Sequence, residues 1–322
     1  MLQEILTKGR SLEASDIHLA AGHRVAMRID GLLSFIPSKE LTEENMLQIC
    51  RELLGLQASS HFQLKNELDF AYSDAEGRRY RVNLYLEQGK LAAAIRLLRE
   101  SIPSCQELEL PAPAQAFLEK ERGMIIISGP TGSGKSTTLA AMVDLLNREK
   151  RLHIITLEDP VEYIHSSKGC LIHQRNIGED TLDLLTGIKN ALREDPDVLL
   201  IGELRDAEVM KHALQAAETG HLVLTSLHTQ GAVATITRIL DALPPVQAYR
   251  AQLAESLIGV ISQKLVVNKN GHGRRALFEI LVMNNAVRSL IRDGKLNQIQ
   301  SYLETGEREG MQTFEKAERM QK

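Results

Sequence analysis

Two hydrophobic periods meet near residue 100. Before it, apolar and polar residues alternate in short stretches: Ile17, Val25 and Met27 sit among polar neighbours, and Asp30-Gly31 supplies a hairpin turn signal. Leu41–Leu56 follows the helical period instead, with Thr42 placed to cap its start and Gly55 near its end. Glu67–Tyr72, Arg78–Glu87 and Leu91–Leu98 alternate again, with turns at Glu76-Gly77 and Gln88-Gly89. Residues 1–100 therefore predict a small α+β domain built on an antiparallel sheet. Between residues 101 and 113 three prolines interrupt every period and predict a linker. Residues 114–322 then alternate apolar strand runs with helical patterns, the signature of a parallel sheet with crossovers. The predicted strands are Met124–Ser128, His153–Leu157, Val198–Ile201 and Leu222–Leu227. Helices are predicted near Lys135–Asn147, Leu182–Arg193 and Ala207–Glu218, the last closed by Gly220. After Pro244-Pro245 come further helices and a hairpin across Asn270–Gly273.

Composition narrows the function classes. The 322 residues suit two domains, with 43% apolar and 25% charged side chains. A net charge of −4 and 4% aromatic residues with no Trp argue against a nucleic-acid partner. Three isolated cysteines give neither a disulfide framework nor a zinc site and fit a reducing cytoplasm. No apolar run approaches the length of a membrane span and Met1–Arg10 lacks a signal-peptide layout, so direct membrane insertion is not expected.

The strongest chemical signal is GPTGSGKS: Gly129, Pro130, Thr131, Gly132, Ser133, Gly134, Lys135 and Ser136, followed by Thr137. Its glycines let backbone N–H groups turn around phosphate oxygens. Lys135 reaches the β- and γ-phosphates and the Ser136 hydroxyl suits Mg²⁺. MIIIS before the loop is a buried strand and Ser136 opens a helix, as an ATP-binding loop requires. Hydrolysis needs a carboxylate to orient or deprotonate water, and VLLIGE delivers Glu203 to the same sheet edge. TLEDPVE ends a neighbouring strand with Glu158, Asp159 and Glu162, acids suited to Mg²⁺ or its water shell. His221 and His228 bracket the last strand of the series, and His228 lies where an imidazole senses a γ-phosphate.

A two-residue loop at Gln88-Gly89 sets a register in the first domain. Tyr80, Val82, Leu84 and Leu86 then face Leu97, Ile95, Ala93 and Leu91, and Arg81 lies opposite Arg96. Like charges opposed in this way destabilise a hairpin unless an anion lies near them or the two side chains splay into water.

Together the motifs resemble the type II/type IV secretion ATPase superfamily over nearly the whole chain. ITLEDPVE, ALREDPDVLLIGELRD and AAETGHLVLTSLHT resemble its Asp box, Walker B and His box in that order. The resemblance implies Asp-box roles for Glu158 and Glu162, a catalytic glutamate at Glu203 and His-box positions at His221 and His228. YRVN and AIRLL resemble the segments that supply intersubunit arginines, which implies Arg81 and Arg96. SDIHL, AVRSLIRDGK (Ala286–Lys295) and GMQTF (Gly310–Phe314) are most similar to PilT-type pilus retraction ATPases. Assembly and secretion relatives usually carry a further N-terminal domain and a four-cysteine zinc element, neither of which is found in this sequence.

The family resemblance implies a PAS-like α+β domain, then a RecA-like P-loop ATPase core with C-terminal helices. It implies a homohexamer with ATP between domains, working on an inner-membrane pilus platform and pilin machinery from the cytoplasmic face. The alternatives are a pilus-assembly, competence or secretion ATPase, a nucleic-acid translocase, and a regulatory paralogue that does not hydrolyse ATP. In AVRSLIRD, Ala286, Val287, Leu290 and Ile291 form an apolar stripe, leaving Arg288 and Arg292 on another side as solvated charges.

Overall fold

The computed structural model describes residues 1–55, 67–98, 101–245, 247–267 and 274–320. It divides into two compact units, Met1–Ser101 and Ile102–Lys322.

Among the described residues the first unit is a six-stranded antiparallel sheet with two helices. Its strands are β1 (Asp16–Ala20), β2 (Ala26–Ile29), β3 (Leu32–Phe35), β4 (Glu67–Ser73), β5 (Arg79–Glu87) and β6 (Lys90–Leu97), in the order β3-β2-β1-β6-β5-β4. Asp30-Gly31 makes the β2–β3 turn, with Ile29 opposite Leu32. Helix α2 (Glu43–Leu54) begins at a reciprocal cap in which Thr42 accepts from the Asn45 N–H and Asn45 from the Thr42 N–H. The last residue of the predicted helix, Leu56, lies outside the described residues. Helix α1 (Leu2–Ser11) is not read from the pattern. It buries Leu2, Leu6 and Gly9 on one stripe, the two leucines contributing about 1.5–3 kcal/mol each.

The β5–β6 register is the one expected: Tyr80 faces Leu97, Val82 Ile95, Leu84 Ala93 and Arg81 Arg96. Tyr80, Val82, Leu84, Ala93 and Ile95 are wholly buried beneath the helices, whereas Leu86 emerges at the hairpin end. The required anions come from the same sheet. Asp16 on β1 lies directly opposite Arg96, 2.9 Å from its Nε. Asp69 on β4 pairs with Arg81 at 2.5 Å. Across β1, β6, β5 and β4 the charges thus run acid, Arg, Arg, acid.

The second unit begins before the pattern suggests. Cys105 and Leu110, in the segment predicted as a linker, are buried in its core, so prolines there shape a packed turn. Ser104 and Glu107 close that turn by mutual hydrogen bonds. Helix α3 (Ala112–Ala116) follows, then β7 (Gly123–Ser128), α4 (Lys135–Glu149), β8 (His153–Glu158), β9 (Leu171–Asn176) and α5 (Leu184–Ala191). Next come β10 (Val198–Ile201), α6 (Ala207–Glu218), β11 (Leu222–Leu227), α7 (Ala232–Ala242) and α8 (Gln247–Ser256). The chain closes with β12 (Leu257–Val267), β13 (Arg274–Val282), α9 (Asn285–Arg292), α10 (Ile299–Thr305) and α11 (Phe314–Met320).

The seven strands lie in the order β13-β12-β7-β11-β10-β8-β9. β7, β8, β10 and β11 are parallel and buried on both faces, which is why they read as continuous apolar runs. β9 escapes the pattern because LIHQRN is a half-polar edge strand. β12 and β13 pair as the expected hairpin, Val267 opposite Arg274, while its turn at Asn270–Gly273 lies outside the described residues. Among the described residues no helix is long and apolar enough to cross a membrane.

The Arg288 side chain is not the solvated charge expected. Arg288 donates to the main-chain carbonyls of Ala254 and Glu255 at the end of α8, and burial depresses its basicity. Arg292 pairs with Glu255 at 2.7 Å. Arg288 meets the carbonyls and negative dipole end of α8 while Arg292 pairs with a carboxylate there, so the two fasten α9 to α8. The apolar stripe is as read, with Val287, Leu290 and Ile291 buried.

Candidate nucleotide-hydrolysis site

Parallel strands bring their C-terminal ends to one edge, and four of them end at candidate chemistry. β7 runs into the loop at Gly129, β8 ends in Glu158, β10 is followed by Glu203, and β11 by His228. Because β11 lies between β7 and β10, His228 emerges between the loop and Glu203.

The loop is held in an open curve. Gly129 has φ +150°, and a Cβ there would lie 2.2 Å from the Gln263 carbonyl oxygen. Gly134 caps α4 at φ +89°, and a Cβ there would lie 2.9 Å from Gln263 Nε2. Only glycine fits either position. Gln263, buried on β12, donates to the Ser133 carbonyl at 2.6 Å and accepts from the Thr138 hydroxyl at 2.8 Å. It braces both ends of the loop and was not foreseen, since one amide in an apolar strand carries no local signal.

Among the described residues, the backbone N–H groups of Gly132, Gly134, Lys135, Ser136 and Thr137 make no hydrogen bond within the chain. Five such donors at a helix N-terminus fit phosphate oxygens. Lys135 Nζ donates to the carbonyls of Gly129 at 2.9 Å and Pro130 at 3.0 Å. Burial lowers its pKa, opposed by the charges of Glu203 and Glu162. The Ser136 hydroxyl is exposed on the first turn of α4. No group of three His, Cys, Asp or Glu among the described residues is arranged to hold a metal. A Mg²⁺ bound chiefly by phosphate and water needs only a ligand such as that hydroxyl.

His228 joins the loop to the acid. Its Nδ1 lies 3.4 Å from Thr131 Oγ1 and 3.3 Å from Lys135 Nζ, while Nε2 is 3.5 Å from Glu203 Oε1. Arg205, which the motif reading passed over, bridges Glu203 at 3.4 Å and Asp159 at 3.0 Å. Ser226 Oγ donates to the Gly202 carbonyl at 2.6 Å and ties the β11 end to the strand end before Glu203.

His221 does not join this edge. It precedes β11, so the strand itself carries it about 20 Å from the loop, at the opposite end of the sheet. There its Nδ1 bonds the Ala216 carbonyl at 3.0 Å and packs the end of α6.

Glu158 is enclosed at the end of β8. Removal from water pushes its carboxyl up to about 7, against hydrogen bonds from Thr156 and Gln174 that favour the anion; Glu162 adds to the rise. Tyr163, one residue beyond Glu162, shares a 2.8 Å bond with Thr137 on α4.

The Glu158 shift has a consequence for stability. In the unfolded chain the carboxyl ionises near 4.5, so the folded state loses stability as pH rises from there through about 7. Glu158→Gln keeps the Thr156 bond and removes that charge. In thermal unfolding without nucleotide, the variant is expected to exceed wild type by up to about 3 kcal/mol near pH 8, the advantage vanishing toward pH 5. A difference that stays constant with pH would overturn this account.

A parallel sheet with this loop at one strand end and a carboxylate two strands away defines a P-loop nucleotide hydrolase. Residues 92–321 match the sequence model of the Type II/IV secretion system protein family, and the chain belongs to that family. It is 40% identical over 316 residues to the type IV pilus retraction ATPase PilT of Pseudomonas aeruginosa, covering 98% of this chain and 92% of that protein. It is 43% identical over 318 residues to an uncharacterized protein of Escherichia coli, YggR, covering 98% and 96%. The crystal structure of the pilus retraction motor PilT with bound ADP superposes with a TM-score of 0.89 at 39% identity, covering 98% of this chain and 95% of that one. The α/β fold is that of the secretion ATPases, and the chain is an ATP-hydrolysing enzyme.

Proposed function

We propose that this chain is the subunit of a hexameric motor that retracts type IV pili, driving pilin removal and surface movement by ATP hydrolysis. The observation that carries this reading is the match to PilT across 98% of the chain, with every nucleotide-loop residue in place.

In the proposed mechanism Lys135 exchanges its two loop carbonyls for β- and γ-phosphate oxygens, and the N–H groups of Gly132, Gly134, Lys135, Ser136 and Thr137 cradle the anion. Bound with the nucleotide, Mg²⁺ would neutralise charge on the phosphates, with Ser136 the side chain to hold it and Glu158 and Glu162 beside its water shell. Glu203 takes a proton from the attacking water, and His228 orients the γ-phosphate against Lys135 and Glu203. Arg81 and Arg96 serve a neighbouring subunit's nucleotide, leaving Asp69 and Asp16 for phosphate oxygens. The ring works at the cytoplasmic face of the inner membrane, against the pilus platform protein.

Retraction is separated from assembly by what a deletion does. Cells lacking the protein are expected to keep their pili, in normal or greater number, and to lose pilus-driven movement, since filaments extend and cannot shorten. The measurement is a count of surface pili by electron microscopy beside a surface-motility assay. Bald cells, re-piliated by the wild-type gene and not by Glu203→Gln, would establish an assembly motor instead.

A further inference from the structure

The Gly310–Phe314 segment supplies nothing to the nucleotide site described above, yet hydrogen bonds connect it to the turn that carries His228. Gln312 pairs with Ile280 on β13 through two main-chain bonds, Ile280 N–H to Gln312 O at 2.8 Å and Gln312 N–H to Ile280 O at 3.0 Å. The Gln312 amide also donates to the Phe278 carbonyl at 2.8 Å. The segment therefore clasps β13 on either side of Glu279.

Glu279 is 8% exposed. Its Oε1 accepts the Ala232 N–H at 2.8 Å, and the Phe314 N–H lies near enough to favour the carboxylate. Ala232 is the first residue of α7 and Phe314 the first of α11, so one carboxylate caps the first helix and faces the opening N–H of the second. Burial pushes the Glu279 carboxyl up, with the Ala232 and Phe314 N–H groups and the Lys264 charge opposing. A buried carboxylate is costly unless so bonded.

The arrangement is unusual in where the cap comes from. The residue before α7 is Gly231, which has no side chain to cap the helix, and its φ of +96° fixes a turn that disfavours other residues. The Gly231 N–H goes instead to Ser262 Oγ on β12 at 2.9 Å, and Ser262 lies directly opposite Glu279. Inside the turn, Thr235 Oγ1 bonds the Gly231 carbonyl and Thr229 Oγ1, both at 2.8 Å. The turn after His228 is thus positioned from β12 and β13 as well as by its own threonines.

We propose that Glu279 is a positioning residue for ATP hydrolysis, fixing the His228 turn to the strand that the Gly310–Phe314 segment clasps. The proposal rests on the reading that His228 acts at the γ-phosphate. Glu279→Gln offers the Phe314 N–H an amide instead of a carboxylate and weakens the hold on both N–H groups without emptying the site. Phe314→Pro removes that N–H from the other side, at a first helical position where proline is tolerated.

The test is steady-state ATP hydrolysis by the full-length protein, with thermal unfolding to confirm that each variant is folded. Glu279→Gln is expected to lower kcat about tenfold with KM changed less than about twofold, and Phe314→Pro to lower kcat about threefold. In a His228→Ala background, Glu279→Gln should cause no further loss, because the residue acts through the turn. A full loss in both backgrounds would overturn the proposal and leave the His228 reading standing. Unchanged kcat in folded Phe314→Pro would overturn the link to the C-terminal segment, which is part of the proposal, even where Glu279→Gln fails to fold. Wild-type turnover by His228→Ala would overturn the histidine reading itself, and this proposal with it.

Discussion

Replacing Glu203 with Gln is expected to leave ATP binding within about twofold of wild type and to lower turnover by about 10²–10⁴. The amide preserves shape and removes both the base and the charge. In the structure Glu203 touches His228 and Arg205, at 3.5 and 3.4 Å, so its link to the loop runs through His228, which the isosteric amide can still meet. Lys135→Ala should behave in the opposite way. Its ammonium is the buried cation at the loop, and its loss is expected to abolish nucleotide binding at concentrations that saturate wild type. A fluorescent-nucleotide titration beside a phosphate-release assay separates the two. Wild-type phosphate release by Glu203→Gln would remove that residue from the role of base.

The second large effect is complementation between subunits. Arg81→Ala or Arg96→Ala is expected to reduce turnover strongly while nucleotide binding by isolated subunits survives. Glu203→Gln subunits are inactive for a different reason. Mixed in equal amounts and assembled at random into a ring, the two give intact sites where a subunit with its glutamate meets a neighbour with its arginines. That is about a quarter of all interfaces, and the recovered activity should approach that fraction. No recovery at any ratio would show that the arginines act within their own subunit. The comparison with Asp16→Asn is informative, because Asp16 holds Arg96 in an ion pair that is exposed and weak.

How much of this was legible in the sequence depended on how far each signal was local. The four strands around the loop announce themselves because strands buried on both faces are unbroken apolar runs. The β5–β6 register followed from one two-residue turn. Asp16 as the partner of Arg96 did not, since β1 reaches β6 from 80 residues away. The same limit hid Gln263, whose bonds to the loop span 125 and 130 residues. His221 is a different case. It was grouped with His228 by resemblance, but strand direction alone places the first residue of a parallel strand at the far edge. The linker reading failed because prolines interrupt a period equally well in a loose connector and in a packed turn, and burial of Cys105 and Leu110 is a tertiary fact.

The pairing of β1 with β6 also orders events at the ribosome. β2–β3 and β4–β5–β6 are local hairpins that close soon after they are made, but β1 must wait for a partner 80 residues further along. At about 5–20 residues per second, Ile17 and Leu19 spend roughly 4–16 s without the strand that covers them. During that interval β1 is an open edge, and in a crowded polysome the neighbouring nascent chains present the same edge. The first hundred residues are therefore where this protein is most exposed to mispairing, before any of the nucleotide-binding half has been synthesised.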